Sequence, residues 1–374
     1  MHFMTFIARN LRNRPVRTVL TVLGLAVGIG SVMLLNGVAA GFERSFLAIY
    51  SSKGIDLVVV RAGISNQLSS NLDETLIGKL RGIDGVAEVA PSLMDTVSFE
   101  DANLVSVLAN GWEGGTLLFR GVRILSGRVY NPGEAKVAIL GRVLALNLGK
   151  KVGDPVEIAG EPFRVIGIFE SQSLFENGGL VVPLGELQRM MGRQGQVTGF
   201  VVKARSPEAD ALQALGRRVE AALPGVAATP ARDYVAGDVQ IRLARAMASA
   251  TTAVALVLGS VGLLNTMVMA VAERTGEIGL LRALGWKRRR VLGLVLGEAA
   301  LLGLLGTIAG GLLAVVGVRA LLLAPSVRAF IDPNLAPATW AIGAAMGLGL
   351  SVLGGLYPAL RAAALDPIEA LHHD

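Results

Sequence analysis

Residues 18–42, 246–272, 291–318 and 333–360 are apolar runs in which Glu298 is the single charge, and they are spread unevenly: one near the N-terminus, then three in close succession after about two hundred mixed residues. At about 1.5 Å per residue each run is long enough, as a helix, to cross the roughly 30 Å hydrocarbon layer of a bilayer. A water-soluble fold could not bury four such stretches in a chain that is 52% hydrophobic and 17% charged. The expected fold class is therefore membrane α-helical, with four transmembrane helices and an extracytoplasmic α+β domain inserted between the first and second.

The side on which each segment lies follows from where the cations fall. Arg9, Arg12, Arg14 and Arg17 precede the first run with no acid among them, and Arg274, Arg282, Lys287, Arg288, Arg289 and Arg290 fill the short segment between the second and third. Excess Lys and Arg in short loops marks the cytoplasmic face. Both chain ends are then expected inside, in a multi-pass protein of the inner (cytoplasmic) membrane. Between residues 43 and 245 acidic and basic residues balance, so net charge does not oppose export of that segment. The net charge of +6 thus reports orientation in a membrane, and no nucleic acid is expected as a partner. Membrane lipid is.

The divisions that follow are a cytoplasmic N-terminal segment 1–17, helix 18–42, extracytoplasmic domain 43–245, helix 246–272, cytoplasmic loop 273–290, helix 291–318, external loop 319–332, helix 333–360 and cytoplasmic tail 361–374. The run 18–42 is too long for the core of a cleavable signal peptide and reads as a retained anchor. Before it, Phe3, Phe6, Ile7 and Leu11 follow helical spacing beside Arg9 and Arg12, as in a short surface-lying helix, with a frayed tail as the alternative.

Within 43–245 short β-branched runs are separated by Gly, Pro and Asp. A strand at 55–60, a helix at 73–81 and a strand at 86–89 are followed, much later, by strand 199–203, helix 207–223 and strand 226–229. The likeness of RGIDGVAEVAP to EAALPGVAATP predicts two copies of one strand–helix–strand unit, paired in a subdomain of 43–109 and 194–245. The intervening 110–193, rich in glycine and short strands and with a hairpin about Gly160, predicts an inserted, mainly β subdomain.

Little here supports catalysis. The chain has no cysteine, and its three histidines, His2, His372 and His373, sit at the ends, so neither a thiolate or histidine metal centre nor a histidine triad is available to the folded interior. Acid pairs such as Asp73/Glu74 and Glu100/Asp101 read as helix caps or solvated surface.

The loop after the second run carries the more specific pattern. As a helix, residues 273–284 would place Glu273, Glu277, Leu280, Leu281 and Leu284 on one face, with Gly276, Gly279 and Ala283 opposite as a smooth face for close helix packing. The acid-and-leucine face would then be free to dock on a partner, the alternative being a solvated loop helix whose arginines only enforce orientation. Glu298, an acid inside a span, admits a helix-to-helix relay or simple satisfaction by nearby Arg, Lys or headgroup water. Small-xxx-small pairs at Gly24/Gly28, Gly293/Gly297, Gly306/Gly310 and Gly343/Gly347 are candidate helix contacts.

The stretch AERTGEIGLLRALGWKRRRVLGLVLGEAALLGLLGTIAGG, with ARNLRNRPVRTVLTVLGLAVGIG before the domain, LSGRVYNPGEAKVAILG within it and YPALRAAALDPIEALHHD at the end, resembles MacB/FtsX-type permeases of ABC transporters. The resemblance implies a permease that does not itself hydrolyse ATP: this chain is expected to bind no cofactor, and ATP and Mg belong to a cytoplasmic ABC ATPase partner. No G-x-x-x-x-G-K-[ST] phosphate cradle occurs in the chain, so a separate ATPase subunit is expected. The resemblance further implies coupling through Glu273, Arg274, Glu277, Ile278, Leu280, Leu281, Arg282 and Leu284, a homodimer or pairing with a homologous permease, and a periplasmic adaptor as a further candidate partner. The expected function is export or release of a drug, peptide, lipid or lipoprotein, driven by motion of the extracytoplasmic domain. The rivals are a regulatory or scaffolding protein of the cell-division type that activates an external partner without transport, and an ion-driven secondary transporter.

Overall fold

The computed structural model describes residues 14–64, 67–323 and 335–365. The amphipathic segment proposed within 1–13, most of the external loop and most of the C-terminal tail lie outside the described residues. The chain divides into two compact units, one formed around 40–244 and the other by the four long apolar helices. Helix α1 (Pro15–Ser51) belongs to both, the division falling at Ala39/Ala40. It outruns the apolar stretch 18–42 at its C-terminal end because nothing in FERSFLAIYS breaks a helix, charge notwithstanding.

After α1 the chain runs through β1 (Leu57–Arg61), β2 (Leu72–Asp73), α2 (Leu76–Arg81) and β3 (Val86–Phe99). Next come β4 (Leu104–Trp112), β5 (Arg123–Gly127), β6 (Val137–Gly141), α3 (Arg142–Leu148), β7 (Pro155–Ile158) and β8 (Glu161–Glu170). Helix α4 (Leu174–Asn177), β9 (Leu180–Pro183), α5 (Leu184–Met190), β10 (Gln196–Val197) and β11 (Gly199–Ala204) follow. Helix α6 (Ala209–Ala222), β12 (Val226–Pro230) and α7 (Ala231–Gly237) complete the unit.

The two strand–helix–strand units, β1–α2–β3 and β11–α6–β12, interleave: the strand order is β12–β1–β11–β3, all antiparallel. This is a split, ferredoxin-like β-α-β-β-α-β arrangement. Period-two alternation sorts β1 between two cores. Leu57 and Val59 join Leu80, Leu215 and Val219 from the helices, while Val58 and Val60 join Ile49, Tyr50 and Trp112 on the opposite face.

The second sheet, β3–β4–β9–β6–β8–β5, is continuous with the first through β3. The first half of this 14-residue strand pairs with β11, and the second half, from Leu93, pairs with β4. A subdomain boundary at 109/110 therefore falls inside β4, and the inserted sheet begins near Leu93. The strand stays extended through Pro91 and Ser92, where its partner changes from β11 to β4, so the Pro-Ser pair marks a change of pairing within one strand and not a turn that ends it. At Gly160 the β7–β8 hairpin pairs Ile158 with Glu161, and Ala159 (φ 51°) and Gly160 (φ 79°) supply the two positive-φ positions of a two-residue hairpin turn.

The chain returns to the apolar unit through α8 (Val239–Ala272), α9 (Thr275–Ala283), α10 (Arg288–Leu321) and α11 (Pro337–Ala364). Helix α11 starts at Pro337, with Ala336 as N-cap, because proline's missing N–H and fixed φ suit the first helical position. Its shared core includes Ile29, Met33, Leu263, Met267, Val295, Leu302, Met346 and Leu350. The outward surface is also apolar: Leu20, Leu23, Val27, Val257, Leu258, Leu312, Leu348 and Val352 are all exposed. Such an apolar patch is unstable in water and is the surface a bilayer-spanning bundle presents to lipid.

The small-residue pairs divide by contact. A Cβ on Gly310 would meet Ala26 O and Gly30 N of α1 at 3.0 Å, and one on Gly347 would meet Gly303 O at 3.0 Å, whereas Gly24 and Gly28 have nothing within 4 Å. The Gly24/Gly28 pair borders instead an apolar groove of about 990 Å³ between α1 and α8, lined by Leu20, Val27, Val254 and Leu258.

Candidate functional site: the helix between the second and third spans

Helix α9 has nine residues, too few to be stable in water from backbone hydrogen bonds alone. Its ends are therefore secured in other ways. Glu277 lies in the first turn and Arg282 in the last, each opposite in sign to the helix-dipole charge there. The C-terminus closes as a Schellman motif, Trp286 N donating to Leu281 O at 3.1 Å and Gly285 N to Arg282 O at 3.0 Å, with Gly285 at φ 93°.

Ion pairs fix the N-terminal end. Glu273 accepts from Arg17 Nη1 at 2.8 Å and also pairs with Arg14. Arg274, largely buried, donates through Nε to Glu277 Oε2 at 3.0 Å and through Nη1 to Glu298 Oε1 at 2.9 Å. Burial alone would lower the pKa of Arg274, but the carboxylates of Glu298 and Glu277 outweigh it and hold it above the ordinary value. These groups border a polar cavity of about 210 Å³ with Thr18, Thr21 and Thr266. One network thus joins α1, α9 and α10.

Glu298 is met by Arg274, from beyond the end of a different span, in line with satisfaction by a nearby arginine. This geometry corrects several other expectations. Glu273 is engaged with α1 instead of being free to meet a partner. Gly276 and Ala283 are exposed, so of the three small residues expected at a packing face Gly279 alone is buried, together with Ile278. At about 100° per residue, Gly276 and Ala283 fall within roughly 60° of Leu280 and share its face, and the buried side centres on Ile278. The outward face is then Gly276, Glu277, Leu280, Ala283 and Leu284; Leu281 and Arg282 are half-buried, and Arg282 Nε is buried with no hydrogen-bond partner. Sequence reasoning did not identify Arg14 and Arg17 as members of the site, although their position before a span with no neighbouring acid was a usable sign.

Four spanning helices, an inserted α+β domain and a short ion-paired helix between the second and third spans define a class, and the comparisons agree with it. Residues 18–222 match the MacB-like periplasmic core domain and residues 249–367 the FtsX-like permease C-terminal domain. The chain belongs to the MacB/FtsX-type permeases of ABC transporters and is a multi-pass inner-membrane protein. It is 30% identical to the macrolide export ATP-binding/permease protein MacB of Nitrobacter winogradskyi, over 96% of this chain and 58% of that protein. It is 25% identical to the ABC transporter permease YknZ of Bacillus subtilis, over 96% of this chain and 95% of that one. The crystal structure of a YknZ extracellular domain covers 47% of this chain and 98% of its own, with 19% identity and a TM-score of 0.37.

Proposed function

We propose that this permease converts the ATP cycle of a separate cytoplasmic ABC ATPase into movement of its extracytoplasmic domain, and that this movement drives export or release of a drug, peptide, lipid or lipoprotein. The observation that carries the proposal is α9: a short helix with two exposed leucines, held by ion pairs to two spanning helices. Leu280 is 53% and Leu284 72% exposed beyond the apolar spans, where uncovered leucines are unfavourable. A partner that seats them would move α1 and α10 with α9, since Glu273 and Arg274 tie the three together. Helices α1 and α8 each contribute residues to both compact units, giving a continuous backbone along which displacement can pass.

In this reading α9 and both termini are cytoplasmic, on the side marked by excess Arg and Lys. Two copies associate, because an ATPase dimer presents two equivalent docking sites and the groove between α1 and α8 offers an apolar surface for the second copy. A periplasmic adaptor, where one takes part, binds the extracytoplasmic domain. ATP and Mg stay with the ATPase.

Leu280→Asp with Leu284→Asp alters the outward face while leaving every ion pair of α9 in place. Burying a charge at the centre of an interface costs about 2 kcal/mol or more, so co-purification with the ATPase is expected to fall at least roughly thirtyfold, with membrane insertion unchanged. Undiminished ATPase recovery would remove α9 from the coupling role.

A further inference from the structure

The charges around α9 fall into two groups. Arg14, Arg17 and Arg274 are matched by Glu273, Glu277 and Glu298. Lys287, Arg288, Arg289 and Arg290 are all exposed and make no ion pair among the described residues. Arg282, in the last turn of α9, likewise makes none. Among the described residues, positive charge is therefore left unbalanced where α10 begins.

We propose that Lys287–Arg290 form a binding ledge for anionic phospholipid headgroups. Depth supports this occupant. Arg288 opens the spanning helix and the apolar run begins at Val291, so at about 1.5 Å per residue the cations stand within a few ångströms of the hydrocarbon boundary, inside the headgroup layer. Trp286, half-buried just before them, is the residue type that favours this level. Direction supports it as well. Three successive helical arginines project about 100° apart and fan around α10. A docked protein covers one face of a helix, whereas headgroups surround it.

The test reconstitutes the full chain in bilayers of equal phosphatidylcholine and phosphatidylglycerol, solubilises and purifies it in detergent, and quantifies the lipid that stays with the protein. Wild type is expected to be enriched in phosphatidylglycerol, the enrichment falling as salt rises. Arg288→Gln with Arg289→Gln is expected to weaken the preference by about fivefold per charge, roughly twenty-five-fold in all. Arg288→Lys with Arg289→Lys is expected to restore it. Because fewer cations can also invert a membrane protein, the salt dependence of wild type stands as a measurement free of mutation. Equal retention of the two lipids by wild type would overturn the proposal, as would displacement of phosphatidylglycerol by inorganic phosphate at matched ionic strength. Loss of ATPase binding in the Gln variant with its lipid preference intact would assign the ledge to the protein partner, and would overturn it equally.

Discussion

Glu176→Gln will destabilise the extracytoplasmic domain by about 3–5 kcal/mol, the usual consequence of removing one member of a buried ion pair. Lys53 and Glu176 are both essentially inaccessible to solvent and are paired, and the ammonium has few other contacts: Ile49 O at 3.3 Å and the ring of Trp112, whose centroid is 5.0 Å away. Glutamine can still accept a hydrogen bond from Lys53 and from Ser171, which donates to Glu176 in the native domain. It cannot neutralise the charge. Lys53→Met with Glu176→Leu removes both charges and should recover most of the loss, because the pair's attraction largely offsets its own desolvation. In full-length protein carrying Trp286→Phe and Trp340→Phe, Trp112 reports thermal unfolding of this domain alone. A Glu176→Gln melt that coincides with the parent would show that Lys53 finds water or another anion.

That pair also shows what a linear reading misses. Lys53 and Glu176 lie 123 positions apart and each looks like an ordinary surface residue in its own segment; the fold alone brings them together. The spans were legible, since uninterrupted apolar length is a property of sequence. So was the internal repeat of the domain, because the turns at Asp84-Gly85 and Pro224-Gly225 recur in the same setting with positive φ at both glycines. The edge of the inserted sheet was not, since β3 changes partners partway along an unbroken strand.

At α9 the residues were legible and their orientation was not. Leucine and glycine on a helical wheel define faces, but which face is buried depends on the neighbouring helices, and here the Arg274–Glu298 and Arg17–Glu273 pairs help set the rotation. Composition argued for a glycine face against protein, whereas Ile278, a better filler of that space, took the buried position. The lone acid within a span is buried and paired with Arg274. Its partner was hidden because it lies across a chain reversal.

Gly303→Leu should break the helix bundle where α10 crosses α11. There a Cβ on Gly303 would stand 2.6 Å from the carbonyl oxygen of Gly347, and the facing glycine is as tightly enclosed. The obstacle is backbone on a helix that cannot yield locally. Two hydroxyls fill the remaining space: the single proton of Ser351 Oγ has two acceptors in reach, Gly347 O on its own helix at 2.6 Å and Ala299 O on α10 at 3.0 Å, while Thr307 Oγ1 donates to Gly303 O at 2.8 Å. Without a hydrophobic drive between helices in lipid, such close backbone approach supplies much of the association. Gly303→Ala already forces the helices apart and should cost about 1–3 kcal/mol. The leucine variant, with three further carbons to place, is expected to lose the monodisperse species in detergent altogether. Gly349→Ala, where an added Cβ would meet only Leu256 at an ordinary 4.0 Å, and the parent itself serve as controls that should purify and melt alike. If Gly303→Leu melts with the controls, α10 and α11 do not meet at this crossing.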